Sequence, residues 1–374
     1  MTIERCTAEI VNDGIVLGWS DGFHHRFHAL WLRERSNDPS NRDPGTGLRI
    51  SEAAFLPLDL SIKTVDITSS ELRLKFSDGH ECGYSLLQLR RAVDCPWPLD
   101  PVADRKHWDA GSSLPNRYDY HRLLADDDTL LDMMRETNCY GFSLFGNLPG
   151  DPDSIETLSL RIGPLRETNW GRTTDVRNIA NPYDLTMTSA GLAPHADNPY
   201  RYPGPGYILM QCLTNSSEGG ESTMVDGFQA ANRLRQDKPA AWQTLISQHT
   251  AFRHEESDAI LEDYGPLIET GVDGEVRRVR FSNRTEQIPP LHNQTLSDYY
   301  HARKAFAEII YSDDMNLTFK LKPGDGLIWD NYRILHGRKP FDPKTGDRHM
   351  RHVYMDRDVF SNRFKVLNRK CSSD

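Results

Sequence analysis

The sequence predicts a mainly β protein with covering helices: a small β-rich N-terminal domain followed by a larger β-sandwich or barrel. Three observations carry that prediction. Short strand patterns recur along the whole chain, and only a few helical patterns separate them. No G-x-G-x-x-G or P-loop glycine run opens a nucleotide-binding βαβ unit. The 374 residues exceed the roughly 100–200 of a usual single domain, so two domains are expected.

The elements follow in chain order. Residues 10–19 alternate loosely around Asn12-Asp13-Gly14. Ser20-Asp21-Gly22 then leads into a further strand over 27–32. Residues 62–67 and 72–76 alternate with period two, and Asp78-Gly79 follows them as a hairpin signal. These strands form a domain over 1–95. Pro96, Pro98, Pro101, Gly111 and Pro115 punctuate a connection over 96–118. The larger domain spans 119–374. In it, Asp126-Asp127-Asp128 opens a helix that Gly141 ends, a second helix runs from near Asp153 to Gly163, and a third covers 295–310. Strand candidates lie at 141–145, 207–213, 222–225, 278–281, 317–321, 326–329 and 352–355.

Composition narrows the function classes. Lys and Arg number 44 against 54 Asp and Glu, a net charge of −10. That balance argues against nucleic acid as a partner, which calls for a basic stripe. No run approaches the roughly 18 apolar residues of a membrane span. The first residues lack the apolar core of a secretory signal, so a soluble cytoplasmic protein is expected. The six cysteines are scattered with no C-x-x-C pair, which reads as free thiols in a reducing compartment.

The chemistry concentrates in Gly191-Leu192-Ala193-Pro194-His195-Ala196-Asp197-Asn198-Pro199-Tyr200-Arg201. On a strand, His195 and Asp197 point the same way, because residues two apart share a face. Both can then ligate one metal, and a distant histidine completes a facial 2-His-1-carboxylate set, the arrangement of non-haem Fe(II) oxygenases. With 14 histidines, H-x-D also arises by chance, and His107-Trp108-Asp109 is a second instance. That copy sits in the proline-punctuated connection and is read as structural. The third ligand candidate is His336, after the Pro323-Gly324-Asp325-Gly326 turn. Twelve residues later stands Arg348, able to hold a keto-acid carboxylate bidentately.

His195-x-Asp197, Gly219-Gly220-Glu221-Ser222, His336-Gly337-Arg338 and Arg348 together resemble the taurine dioxygenase superfamily of Fe(II)/2-oxoglutarate oxygenases. More closely the chain resembles the γ-butyrobetaine hydroxylase family, through Trp31-Leu32-Arg33-Glu34, His195-Ala196-Asp197-Asn198-Pro199-Tyr200 and Met224-Val225-Asp226-Gly227-Phe228. The resemblance implies a double-stranded β-helix (jelly-roll) catalytic domain. It implies iron held by His195, Asp197 and His336, and 2-oxoglutarate held by Arg348 with help from Ser222. O2 is then the second cosubstrate, the product carries a new hydroxyl, and a homodimer is expected. Many relatives also hold zinc in the N-terminal domain through cysteines after the W-L-R motif. Here that segment reads Arg35-Ser36-Asn37-Asp38-Pro39-Ser40-Asn41 with only His80 beyond it, so no zinc is expected.

Betaine-type relatives hold a trimethylammonium group in an aromatic cage by cation–π attraction. The corresponding aromatics are Trp170, Tyr183, Tyr200, Tyr202 and Tyr354, of which Trp170, Tyr183 and Tyr354 are the preferred cage. Core packing is the competing explanation for each. Asn198, Arg201, Asn283 and Arg284, with Arg351 and His352, offer more donors than one carboxylate needs and suit a dianionic phosphonate. The expected substrate is therefore 2-(trimethylamino)ethylphosphonate, hydroxylated next to phosphorus. Arg284 and Arg351 can equally pair with nearby acids. The alternatives are a γ-butyrobetaine hydroxylase, a sulfonate dioxygenase, and a non-catalytic β-sandwich scaffold.

Overall fold

The computed structural model describes residues 6–94, 105–113, 115–180 and 185–371. Tyr183 and residues 96–104 and 114 of the expected connection lie outside the described residues. Contacts divide the chain into two units, Met1–Pro101 and Val102–Asp374.

In the N-terminal unit, Asn12-Asp13 turns strand Cys6–Val11 back along Gly14–Trp19, and His24–His28 adds a third strand. A second sheet orders Ile62–Ile67, Glu71–Phe76 and Glu81–Ser85, the last pair joined at Asp78-Gly79. Ile15, Leu17, Phe27, Leu72, Leu74 and Phe76 from both sheets close one core. The strand expected over 27–32 is overturned: only its first two residues are extended, and Ala29–Glu34 is a helix. His28 Nδ1 caps it by accepting from the Leu30 N–H at 3.1 Å, and Ala29 and Leu32, three apart, bury one helical face. The Ser36 hydroxyl lies 2.8 Å from His80 Nε2. A hydroxyl and one imidazole do not fit a tetrahedral zinc site, which needs four N or S ligands.

The second unit is a double-stranded β-helix. One sheet orders Arg117–Asp119, Phe142–Gly146, Gly326–Asp330, Tyr207–Asn215, Arg348–Met355 and Thr173–Arg177. The other orders Leu192–His195, Ile334–Arg338, Ser222–Asp226 and Leu317–Phe319. Strand alternation sorts the side chains between two cores. Ile208, Leu327, Trp329, Met350 and Tyr354 meet Met224, Leu317 and Ile334 between the sheets. Tyr207, Leu209, Ile328, Val353 and Met355 point the other way. There they pack under helices Asp127–Tyr140, Ser154–Ile162 and Arg357–Cys371. Helices Gly227–Asp237, Pro239–Ser247 and Asn293–Ile310 build a third core. The expected helix between Asp126 and Gly141 is capped at both ends: Asp126 accepts from the Asp128 and Thr129 N–H groups, and Gly141 is left-handed at φ 85°. The described part of the connection is no loose tether, since Trp108 is buried against Phe142 and its Nε1 donates to the Tyr140 carbonyl.

One buried ion pair holds the strand ends that carry the site. Asp226 caps helix Gly227–Asp237 and receives Arg333 through Nη2 at 2.7 Å and Nε at 3.0 Å. Burial opposes its charge, but Arg333 and His107 overcome this and bring the carboxyl down to about 2. Asp226→Ala strands a buried guanidinium and should cost about 3–5 kcal/mol in urea unfolding at pH 7. The folded pKa lies below the unfolded value of about 3.9, so this contribution is complete above that value and fades as pH falls toward 2. The gap between wild type and variant should therefore shrink below pH 4. A gap independent of pH contradicts the electrostatic account.

Candidate active site

The two histidines of the cluster are brought together by strand register. His195 pairs directly with His336 across antiparallel strands, and their ring centroids lie 4.4 Å apart. His195 Nδ1–H donates to the Ala193 carbonyl at 2.9 Å, which leaves the lone pair on Nε2. That Nε2 is buried and has no hydrogen-bond partner. It faces Asp197 Oδ1 at 3.2 Å, and His336 Nε2 faces the same oxygen at 3.6 Å.

Asp197 is not on the strand, as the alternation argument assumed. The strand ends at His195, and the next residues are shaped by tertiary contacts. The Ala196 N–H donates to Phe281, and the Asn331 side chain both accepts from the Asp197 N–H and donates to its carbonyl. Asn198 then turns left-handed at φ 49°. The Tyr354 hydroxyl donates to Asp197 Oδ2 at 3.1 Å, turning Oδ1 toward the histidines.

One imidazole pair and one carboxylate, with ligand atoms all within 4.8 Å of one another, form the single metal-capable cluster among the described residues. Burial pushes the His336 imidazole down to about 3, so its lone pair is available. Burial opposes the charge on Asp197, yet His336 and His195 hold its carboxyl well below the usual range. An orphaned buried imidazole nitrogen beside an ionised carboxylate fits a divalent transition metal.

Two cavities meet at this cluster. The smaller, about 60 Å³, is bounded by His195, Asp197 and His336 at one end and by Ser222 and Arg348 elsewhere, with Met210, Met224, Leu327 and Trp329 as apolar walls. Arg348 is buried, and burial pushes its guanidinium down to about 10. Its Nε donates to the Gly220 carbonyl at 3.4 Å, and no carboxylate among the described residues pairs with it. A buried, acid-free guanidinium calls for an anionic ligand. Gly219 and Gly220 make the approach possible. Both are left-handed, and a Cβ on them would lie 2.3 Å from the Pro340 carbonyl oxygen and 3.2 Å from Arg348 Cδ. Arg338, in the same motif as His336, instead donates to the Thr186, Thr188 and Ala190 carbonyls and secures that loop.

The larger cavity, about 310 Å³, is lined by Trp170, Tyr200, His254 and Tyr354 on its aromatic side, with Asn198, Ser282, Arg284 and Glu256 also facing it. The structure thus gathers Trp170, Asn198, Arg284 and Tyr354 around the His195–Asp197 end. It does not bring in four other expected residues. Tyr202 is 84% exposed and Asn283 is exposed, and neither lines either cavity. Arg201 lies over the Trp170 ring, 4.7 Å from its centroid, and is bonded to Asn169. Arg351 belongs to the outer face, where Asp175 takes it at 2.8 and 2.9 Å. His254, Glu256 and Thr186 were missed because nothing local links them to His195. His352, expected among the donors at the anion end, borders both cavities. Taken as one strand, 348, 350, 352 and 354 share a face, but a strand expected to begin at 352 hides that stripe.

The chain is similar to known proteins along most of its length. The family profile described as taurine catabolism dioxygenase TauD, TfdA family, matches residues 103–354, and gamma-butyrobetaine hydroxylase-like, N-terminal, matches residues 9–90. The γ-butyrobetaine dioxygenase of Pseudomonas sp. (strain AK-1) is 34% identical over 361 residues, covering 95% of this chain and 94% of that protein. The human γ-butyrobetaine dioxygenase is 28% identical over 363 residues, 94% of each chain. The mitochondrial trimethyllysine dioxygenase of Rattus norvegicus is 27% identical over 354 residues, covering 91% and 83%. Among solved structures, a taurine dioxygenase from Burkholderia xenovorans superposes with a TM-score of 0.50 at 14% identity, covering 67% of this chain and 90% of that one, a likeness of fold. With profile matches along both units and a full-length relative above 30% identity, the chain belongs to the TauD, TfdA dioxygenase family and is an iron(II)- and 2-oxoglutarate-dependent dioxygenase with a γ-butyrobetaine hydroxylase-like N-terminal unit.

Proposed function

We propose that this chain hydroxylates an unactivated C–H bond of a small quaternary-ammonium substrate. The observation that carries the reading is the larger cavity, in which one wall is aromatic, polar donors face it, and two of the metal-capable side chains reach its edge. His195, Asp197 and His336 would hold the iron, and Arg348 with Ser222 would hold the distal carboxylate of 2-oxoglutarate. When bound, iron with 2-oxoglutarate and O2 supplies the chemistry that converts C–H to C–OH. The chain's own residues orient that reaction. Arg348 anchors one end of the cosubstrate, apolar walls exclude water along its length, and Tyr354 keeps the Asp197 carboxylate turned toward the histidines.

For the substrate's anion, Asn198 and Arg284 are the donors that line the larger cavity. Asn198 Oδ1 accepts from the Tyr200 hydroxyl at 2.7 Å, and its buried Nδ2 has no partner. The first reading is 2-(trimethylamino)ethylphosphonate, hydroxylated beside phosphorus, whose dianion uses several charge-assisted donors at once. The second is γ-butyrobetaine. It is favoured by the placement of Arg201 on Trp170 and Arg351 on Asp175, which removes two charges from the anion end.

Succinate formation under Fe(II), ascorbate, O2 and 2-oxoglutarate separates them. The panel is 2-(trimethylamino)ethylphosphonate, γ-butyrobetaine, trimethyllysine and taurine, and the expected result is strong stimulation by the phosphonate. Preference for γ-butyrobetaine keeps the aromatic wall and assigns a carboxylate to Asn198 and Arg284. Stimulation by taurine alone removes the quaternary-ammonium reading and leaves the iron site standing.

A further inference from the structure

We propose that Glu256 is the counter-ion of the substrate's quaternary ammonium group; the inference rests on the quaternary-ammonium reading above and deepens it. Of the residues that line the larger cavity, Asp197 and Glu256 are the acids, and Asp197 belongs to the metal cluster. Glu256 is held in place by two donors on one oxygen. Trp170 Nε1 reaches its Oε1 at 2.9 Å, and His254 Nε2 reaches the same atom at 2.6 Å. Its Oε2 has no hydrogen-bond partner among the described residues, and the side chain, which lines the cavity, retains 21% exposure.

The chemistry suits a cation without N–H bonds. A trimethylammonium group cannot donate a conventional hydrogen bond, so its recognition depends on aromatic faces and on a fixed opposite charge. Both stand together here. Trp170 meets His254 edge-on at 5.4 Å, and His254 stacks on Tyr200 at 5.0 Å, so an aromatic wall and the carboxylate are parts of one bonded group. The chain itself shows that a cation is welcome at this place, since Arg201 already lies over the Trp170 ring. The Tyr200 hydroxyl continues the group to Asn198. A negative end at Glu256 and donors at Asn198 and Arg284 therefore complement a zwitterion whose reacting carbon lies between its charges.

The competing role for Glu256 is a plain anchor for Trp170 and His254. Glu256→Gln separates the two, because glutamine keeps an oxygen acceptor for Trp170 and removes only the charge. The probes are choline and 3,3-dimethylbutan-1-ol, which have the same shape and differ in charge. Binding to the full chain loaded with iron(II) and 2-oxoglutarate under nitrogen is followed by tryptophan fluorescence, with thermal unfolding as the check on folding. The wild type should prefer choline by about ten-fold or more, and Glu256→Gln should bring the two probes within about two-fold. Glu256→Asp should restore part of the preference. A wild type without preference, or a glutamine variant that keeps it, overturns the assignment. Because no turnover is read, a silent succinate panel with an intact, Glu256-dependent choline preference sinks the proposed reaction and leaves the counter-ion standing.

Discussion

Asp197→Ala should abolish iron binding and succinate formation together, with turnover falling by about 10³-fold or more, since loss of partners outside the ligand shell already costs about 10–100-fold in such sites. The size follows from the geometry. Asp197 is the one carboxylate of the cluster, and its Oδ1 is the atom both imidazoles face at 3.2 and 3.6 Å. Two neutral imidazoles alone cannot balance a divalent cation in a buried site. The apo variant should still fold, because the backbone at 197 is held by Asn331 rather than by the carboxylate. The decisive measurement is Co(II) absorption in the visible, titrated into wild type and variant, alongside succinate assays. Retained metal binding with lost activity would move Asp197 out of the ligand set. Retained turnover would end the facial-triad assignment altogether.

Arg348→Ala comes next in size. The apparent KM for 2-oxoglutarate should rise about 10²-fold, as expected when one partner of a buried charge-assisted pair is removed. The KM for the organic substrate should move far less, because Arg348 lines the smaller cavity and not the larger one. Arg348→Lys should recover part of the loss through charge while forfeiting bidentate geometry. A KM for 2-oxoglutarate that stays put in the alanine variant would contradict the role. An equal rise for both ligands would point to a disturbed fold around Gly219 and Gly220.

These expectations rest on features of different visibility. The turn at Asn12-Asp13-Gly14, the caps at Asp126 and Gly141, and the period-two runs at 62–67 and 72–76 each follow from a few adjacent residues, and all appear where local chemistry puts them. Residues 27–32 read as a strand because five of the six are apolar or aromatic. The His28 cap and the packing of Ala29 and Leu32 turn the last four into helix. Arg201 and Arg351 looked alike in the sequence as charges near the iron motif. Strand parity sent Arg351 to Asp175 on the outer face, and an aromatic ring took Arg201. Helices Gly227–Asp237 and Pro239–Ser247 carry local start signals, the Asp226 cap and Pro239 in the first turn, and pack into the core they share with Asn293–Ile310.

The sequence by itself determined the chemistry on offer: H-x-D, a distant histidine, a trailing arginine and the two glycines that let it approach, because residue identity and short spacing decide ligand type and backbone freedom. Only the tertiary structure decided the convergence. Register sets His195 opposite His336. Asn331, more than a hundred residues away, holds Asp197 at the strand's end. A hairpin from another part of the chain delivers His254, and beside it Glu256, to Trp170. The physical reason is range: hydrogen-bond propensity and periodicity act over a few residues, whereas the arrangement of a site is set by packing between elements that local sequence does not connect.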